Sequence, residues 1–124
     1  MISICIRQKK DNSFWQEMNQ LAITNPIVVD RPKGSVHPRY PQAIHPLDYG
    51  YLENTTSGDG RGIDIWLGSK QSKTLTGILC TFDTLKRDAE IKLLIGCTQE
   101  DVELIQNFHI EMHTLFIPTP MVDS

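Results

Sequence analysis

The feature that most constrains the fold is a run of strand-like segments without a helix between them. Short apolar stretches bounded by turn residues occupy positions 48–56, 63–67, 74–83 and 89–97. Stretches of this length and composition are typical of strands. Parallel neighbours need long crossover connections, so this pattern disfavours a parallel sheet. It favours a small closed barrel with helices attached.

Two segments have the spacing of amphipathic helices, one near each end of the chain. In segment 12–22 and in segment 98–113, apolar residues recur every three or four positions and form one stripe. Residues 2–6 and 27–30 have the composition of two further strands. The tail, 114–124, is predicted to be irregular.

The length and composition predict a single domain, residues 1–124, in the cytoplasm. A chain of 124 residues has a common domain size. The net charge of -3 argues against nucleic-acid and membrane-surface proteins, which present basic stripes, and no segment approaches the ~20 apolar residues of a membrane span. The cysteines Cys5, Cys80 and Cys97 are odd in number and far apart, which is typical of reduced core thiols. The composition leaves homo-oligomerisation open.

Two loops gather acidic side chains beside predicted strands. Asp59 and Asp64 flank a glycine-rich turn, and Asp83, Asp88 and Glu90 surround the turn between the last two strands. If both loops share one mouth of a barrel, the carboxylates converge, and their mutual repulsion favours a bound cation. Oxygen ligands without His or Cys suit Mg²⁺, whose coordination is often completed by phosphate oxygens.

Basic residues flank the same segments and favour a phosphate ligand. Arginine binds phosphate oxygens in pairs, and lysine contributes a point charge. The alternative is that Asp59 and Asp83 are turn residues and that the basic side chains are solvated. The basic residues concerned are Arg31, Lys33, Arg39, Arg61, Lys86, Arg87 and Lys92.

Four motifs in the same order as in a known enzyme family give the sequence a resemblance to it. They are DRPKGS from Asp30, RY from Arg39, HPLDYGYL from His45 and TTSGDGRGIDIW from Thr55, with a weaker continuation, TFDTLKRDAEIKLL, from Thr81. The chain resembles the soluble, magnesium-dependent inorganic pyrophosphatases of family I. The resemblance implies an α+β, mainly β, domain: a small closed five-stranded OB-like barrel with a short N-terminal helix and a C-terminal helix.

The resemblance also implies a set of metal ligands. Asp59 and Asp64 match two metal-binding aspartates of the catalytic centre, and Asp83 resembles a third. The fourth ligand is either Glu90, which keeps the acid-x-Lys-Leu pattern, or Asp88, which keeps the spacing to Asp83. We prefer Glu90 on that pattern.

Other matched positions imply contacts with the substrate. Lys92 and Arg39 resemble phosphate-binding residues, Tyr49 resembles a tyrosine near the metal site, and Asp30 resembles an acid on the barrel rim. The implied activity is Mg²⁺-dependent hydrolysis of pyrophosphate, or of a related phosphoanhydride, by a metal-activated water.

The chain departs from the family at several positions. Arg61 stands where the family has the central Asp of D-G-D, beside the attacking water, and Met112 and His113 fall where it has a Tyr-Lys pair. A hairpin that carries a substrate-contacting arginine is missing between Tyr40 and His45. Arg61 therefore either weakens a metal site, because its charge repels a cation, or supplies the phosphate contact of the missing arginine.

These departures leave alternatives to the enzymatic function. One is a catalytically weakened relative that binds phosphates or a protein partner. Another is a barrel that binds single-stranded nucleic acid, which the acidic net charge and the few exposed aromatics disfavour. His109 and His113 are one helical turn apart, but they lack a nearby third ligand and are expected to be ordinary histidines rather than zinc ligands.

Overall fold

The computed structural model describes residues 13–120, and this part of the chain forms two helices and six strands. The helices are α1 (Ser13–Thr24) and α2 (Gln99–Phe108). The strands are β1 (Ile27–Arg31), β2 (Asp48–Leu52), β3 (Asp64–Leu67), β4 (Leu75–Asp83), β5 (Asp88–Ile95) and β6 (His113–Pro118). The strand predicted at residues 2–6 lies outside the described residues.

The six strands form one open, mixed sheet in the order β1-β2-β3-β5-β4-β6. The predicted closed five-stranded OB-like barrel is wrong, because β1 and β6 are the two edges of the described sheet. The sequence pattern disfavours a parallel sheet, and the described sheet is mixed: four pairs of neighbouring strands are antiparallel, whereas β3 and β5 are parallel. The antiparallel hairpin of β4 and β5 returns the chain to the direction of β3. One helix packs on each face and buries part of it, so two core clusters form without closure of the sheet.

The alternation of side chains along the strands divides the core into two clusters. Ile65 of β3 lies opposite Leu93 of β5, and both face α1. Trp66 and Leu94, one residue further along, face α2. The α1 cluster is Ala22, Leu52, Ile65, Leu75, Ile78, Leu93 and Ile95. The α2 cluster is Leu47, Trp66, Leu79, Leu94, Cys97, Val102 and Ile105.

The start of α2 is fixed by a capping box, in which Thr98 is the N-cap. The Thr98 hydroxyl accepts a hydrogen bond from the Asp101 backbone N–H at 3.1 Å, and the Asp101 carboxylate accepts one from the Thr98 N–H at 2.9 Å. The same carboxylate accepts hydrogen bonds from the backbone N–H and the hydroxyl of Ser69, just after β3. Asp101 therefore ties α2 to the sheet.

The C-terminal tail is more ordered than predicted. His113, expected to end the helix, and residues 114–118, expected to be irregular, form β6, which pairs with β4 from Phe82–His113 to Gly77–Pro118. Pro118 is tolerated there because β6 is an edge strand, where a missing N–H leaves no ladder bond unmade.

Candidate functional site

The strands bring predicted site residues onto the face of the sheet that carries α2. Tyr49 of β2 lies opposite Trp66 of β3, and Trp66 lies beside Leu94 of β5. Because side chains two residues apart share a face, Asp64 and Lys92 lie on this face as well. Beyond the part of this face that packs against α2, the surface of the sheet is polar.

Lys92 lies at the centre of this polar surface. Its Nζ donates to Tyr49 Oη at 2.8 Å, to Glu90 Oε2 at 3.1 Å and to Asp64 Oδ2 at 3.2 Å. The Lys92 side chain is 6% exposed, whereas Asp64 is 32% and Glu90 39% exposed. Burial disfavours the charged amine, but the three oxygens more than offset it and raise the pKa of Lys92. Lys92 is therefore a buried, permanently positive group.

Tyr49 holds its phenol beside this amine. Burial raises the pKa of Tyr49, and the neighbouring Asp64 acts in the same direction, whereas Lys92 opposes the shift. The hydroxyl thus keeps its proton near neutral pH. The ring packs edge-on against Trp66 at 4.8 Å between centroids, and this contact fixes its orientation.

A cavity of about 700 Å³ opens over these residues. Several separated segments contribute to it: β1, the 37–39 loop, β2, the 59–62 loop, β4, β5, the β4–β5 turn and the chain before β6. Of the residues predicted for the site or its rim, those that line the cavity are Asp30, Arg39, Tyr49, Asp59, Arg61, Asp64, Asp88, Glu90 and Lys92. Both candidates for the fourth acidic ligand, Glu90 and Asp88, are among them.

Asp59 lies in a turn that uses its carboxylate. Asp59 Oδ1 accepts a hydrogen bond from the Ser57 hydroxyl and one from the Arg61 backbone N–H at 2.8 Å. The bond from Ser57 and then that from Arg61 lower the pKa of Asp59. Gly60 has φ +83°, a conformation that favours glycine. The turn therefore holds Arg61 at the cavity beside an ionised Asp59.

Asp83 is the predicted site residue that does not line this cavity. Its Oδ1 accepts hydrogen bonds from the backbone N–H groups of Leu85 at 3.0 Å and Lys86 at 3.1 Å. It caps the β4–β5 turn, which corresponds to the alternative interpretation of Asp83 as a turn residue. Across the hairpin it lies opposite Asp88, which does reach the cavity.

The segment between β1 and β2 forms one wall of the cavity. Backbone hydrogen bonds between Ser35 and His45 and between His37 and Ala43 fold it back on itself. His45 is buried and packs against Phe108 of α2 at 4.7 Å between ring centroids. His37 Nδ1 accepts a hydrogen bond from the Arg39 backbone N–H at 3.0 Å. This fold places His37 and Arg39 at the cavity.

His37 is a cavity residue that the motif comparison missed. Burial and then the charge of Arg31 lower its pKa, so the ring is neutral near pH 7. The sequence offered one indication that His37 contributes to a site: it lies in a proline-rich segment between two strands. That segment has no hydrophobic periodicity. Sequence periodicity cannot place such a segment in space.

The cavity is rich in charge of both signs. Its acidic residues are Asp30, Asp59, Asp64, Asp88 and Glu90, and its basic residues are Arg31, Arg39, Arg61, Lys86 and Lys92. Within residues 13–120, no three His, Cys, Asp or Glu side chains converge closely enough to hold a metal ion by themselves. The arrangement offers cations that can bind phosphate oxygens and carboxylates that can share a cation with a phosphate.

His109 is buried behind the site rather than exposed as a ligand. Its Nε2 accepts a hydrogen bond from the Trp66 indole N–H at 3.3 Å, so this nitrogen carries no proton. Burial, and then the nearby positive charge of Lys92, lowers the pKa of His109 to about 3.

We expect this histidine to make the fold sensitive to acid. The pKa of His109 is the ordinary histidine value of 6.5 in the unfolded chain but about 3 in the folded chain. The contribution of His109 to the free energy of unfolding is therefore complete above pH 6.5. As the pH falls from 6.5 towards 3, the free energy of unfolding decreases by up to about 1.4 kcal/mol per pH unit, because the unfolded chain binds a proton that the folded chain does not. Urea denaturation at a series of pH values measures this slope.

His113, which is exposed, supplies the matched control for this prediction. The His109→Gln variant, whose amide oxygen can accept the Trp66 hydrogen bond, should show a shallower slope below pH 6.5. The His113→Gln variant should keep the slope of the unmodified chain. An unchanged slope in His109→Gln would assign the acid sensitivity to other groups.

No helix within residues 13–120 is long and apolar enough to cross a membrane. No protein-family model matches the chain, and no curated protein matches it significantly.

Proposed function

We propose that the protein hydrolyses pyrophosphate, or a related phosphoanhydride, in the polar cavity with the help of Mg²⁺. The observation that carries this proposal is the meeting of separated motif residues at one surface. Arg39, Tyr49, Arg61, Asp64 and Lys92 come from different segments and line one cavity. Motifs that matched only by chance would have no reason to meet there.

The basic residues support a phosphorylated ligand. Lys92 is charged and held in place by Tyr49, Asp64 and Glu90, so a phosphate that enters meets a preorganised cation. Arg39 and Arg61 are exposed at the cavity and can bind phosphate oxygens in pairs. Together they would stabilise charge on the non-bridging oxygens as the phosphoanhydride bond breaks.

The acidic residues fit magnesium by their chemistry. Mg²⁺ is usually bound by one or two carboxylates together with substrate phosphates, rather than by a cage made only of protein. Asp59, Asp64, Asp88 and Glu90 offer oxygen ligands around the cavity. When bound there, the ion would lower the pKa of a water molecule and neutralise the leaving phosphate.

The same carboxylates also keep Lys92 in position. Asp64 and Glu90 each contact Nζ through one oxygen, Oδ2 and Oε2 respectively. Tyr49 supplies a third, neutral contact. We assign Lys92 to substrate binding, Asp64 and Glu90 to cation binding, and Tyr49 to the orientation of Lys92.

A second candidate function is phosphate binding without hydrolysis. The observation that favours it is that Lys92 already pairs with two of the candidate metal ligands. Arg61 adds positive charge where the pyrophosphatases carry an acid. Both features weaken the attraction of the cavity for a cation and strengthen its attraction for a free phosphate.

The deciding experiment is a phosphate-release assay with pyrophosphate in the presence of Mg²⁺ or of excess EDTA. The enzymatic proposal predicts turnover that requires Mg²⁺. Binding of pyrophosphate without turnover would favour the second function, and neither binding nor turnover would overturn both. We further propose a cytoplasmic location, supported by the odd number of separated cysteines, and a small phosphorylated molecule as the partner.

A further inference from the structure

The face of the sheet that carries α1 contains an apolar groove of about 890 Å³, which shares its acidic border with the polar cavity. Its floor is a row across three strands, in which Ile91, Cys80 and Leu115 lie directly opposite one another. Ile91 is 48% exposed and Leu115 is 61% exposed, and Phe82, two residues further along β4 in the next row, is 47% exposed. Contiguous apolar surface of this kind marks a contact site.

The charged residues along this apolar groove are all acids. Asp64 and Glu90 border it but pair with Lys92 on the other side of the sheet. Asp59 and Asp88 also border it, and neither makes an ion pair with a described residue. None of the described lining residues is Lys or Arg. The apolar groove therefore suits an apolar segment that carries positive charge.

The sequence contains a stretch of this chemistry before α1. Ile2–Ile6 reads ISICI, with isoleucine at alternate positions, and Arg7–Lys10 reads RQKK, with three basic residues. This stretch ends three residues before the first residue of α1, and Met18 of α1 lines the apolar groove. Five extended residues span about 17 Å, comparable to the width of three or four paired strands.

We propose that the apolar groove binds Ile2–Lys10 of the same chain. The isoleucines cover the row formed by Ile91, Cys80 and Leu115, because burial of apolar surface is favourable. The basic residues lie towards Asp59 and Asp88 and set the direction of the segment, since opposite charges fix register more than they add affinity. Asp59 and Asp88 also border the polar cavity, so the two proposals share these carboxylates, but the tests of this one measure contact with the apolar groove and do not involve turnover.

Two native cysteines test this proposal in the full-length chain. Cys5 lies within the proposed segment and Cys80 within the groove floor. A short bifunctional maleimide should join Cys5 to Cys80 within one molecule, and peptide mass spectrometry identifies the linked pair. Cys5→Ser should abolish the product. A product that joins two molecules would overturn the proposal in favour of a second copy as the occupant.

Two exposed leucines provide a matched pair of variants. Leu115→Lys places a charge in the apolar groove, and Leu115 is exposed enough for the fold to tolerate it. It should reduce the Cys5–Cys80 product several-fold. Leu85→Lys makes the same change at a 95% exposed position in the β4–β5 turn, outside the groove, and should leave the yield unchanged. Equal yields in the two variants would overturn the proposal.

A second measurement does not depend on thiol reactivity. In methyl NMR spectra of the full chain, the I4E/I6E double variant should shift the resonances of Leu115 and Ile91. The resonance of Leu104, which is exposed on α2 over the opposite face, should stay in place. Unshifted groove resonances would show that another partner, or none, occupies the groove.

Discussion

Replacing Asp64 by Asn is expected to lower the rate of Mg²⁺-dependent phosphate release at least about 100-fold, which corresponds to ~2.7 kcal/mol of transition-state stabilisation. The amide keeps the size of the carboxylate but removes its negative charge. That charge serves two partners, the proposed cation and the Lys92 amine 3.2 Å away. Loss of one preorganised electrostatic contact commonly costs this much. Initial rates with saturating pyrophosphate measure the effect.

Glu103→Gln is the matched control for this prediction. It makes the same change of charge on the exposed side of α2, away from the cavity, and should keep the rate of the unmodified protein. Because Asp64 is 32% exposed, its replacement should leave the fold intact, as thermal melting can verify. Full activity in a folded Asp64→Asn variant would remove Asp64 from the proposed catalytic centre.

Gly50→Ala is expected to destabilise the fold by at least about 3 kcal/mol, the upper range for overpacking. A Cβ at this position would overlap the Val28 carbonyl oxygen and lie 2.9 Å from Val29 Cα. These are backbone atoms of β1, so relief requires β1 to move away from β2. The urea concentration at the unfolding midpoint reports the loss.

Gly58→Ala is the corresponding control, because a Cβ there meets no atom within 4 Å. Its free energy of unfolding should change by no more than ~0.5 kcal/mol, as is usual for exposed positions. The different results expected for Gly50 and Gly58 would explain the glycine of the DYGYL motif. A residue without a side chain is required at position 50 because the backbone of β1 lies against it. Equal stabilities of the two variants would contradict this account of the motif.

The sequence was a good guide to local elements and a poor guide to their arrangement. The helix beginning after Thr98 was predictable because a capping residue and an apolar stripe are both local signals. The open sheet was not predictable in the same way. Short strands can bury their apolar side chains either inside a barrel or against two helices, and the sequence pattern is the same in both cases. Periodicity also does not indicate that β5 lies between β3 and β4 in the sheet.

The candidate site shows the same division. The motifs predicted that Asp64, Glu90, Tyr49 and Lys92 belong together, and these residues are in contact around one amine. The motifs did not predict that the amine would lie between the two carboxylates. They also treated Asp83 like the other acids, although its carboxylate caps a turn. Such details depend on side-chain packing, which no spacing rule encodes.

The most direct test of the central claim is a calorimetric titration of imidodiphosphate, a non-hydrolysable diphosphate, in the presence of Mg²⁺. The account predicts binding of one ligand per chain, weakened about tenfold or more, ~1.4 kcal/mol, in a folded Lys92→Met variant. Absence of binding to the unmodified protein, or equal affinity in the variant, would contradict a phosphate site built around Lys92.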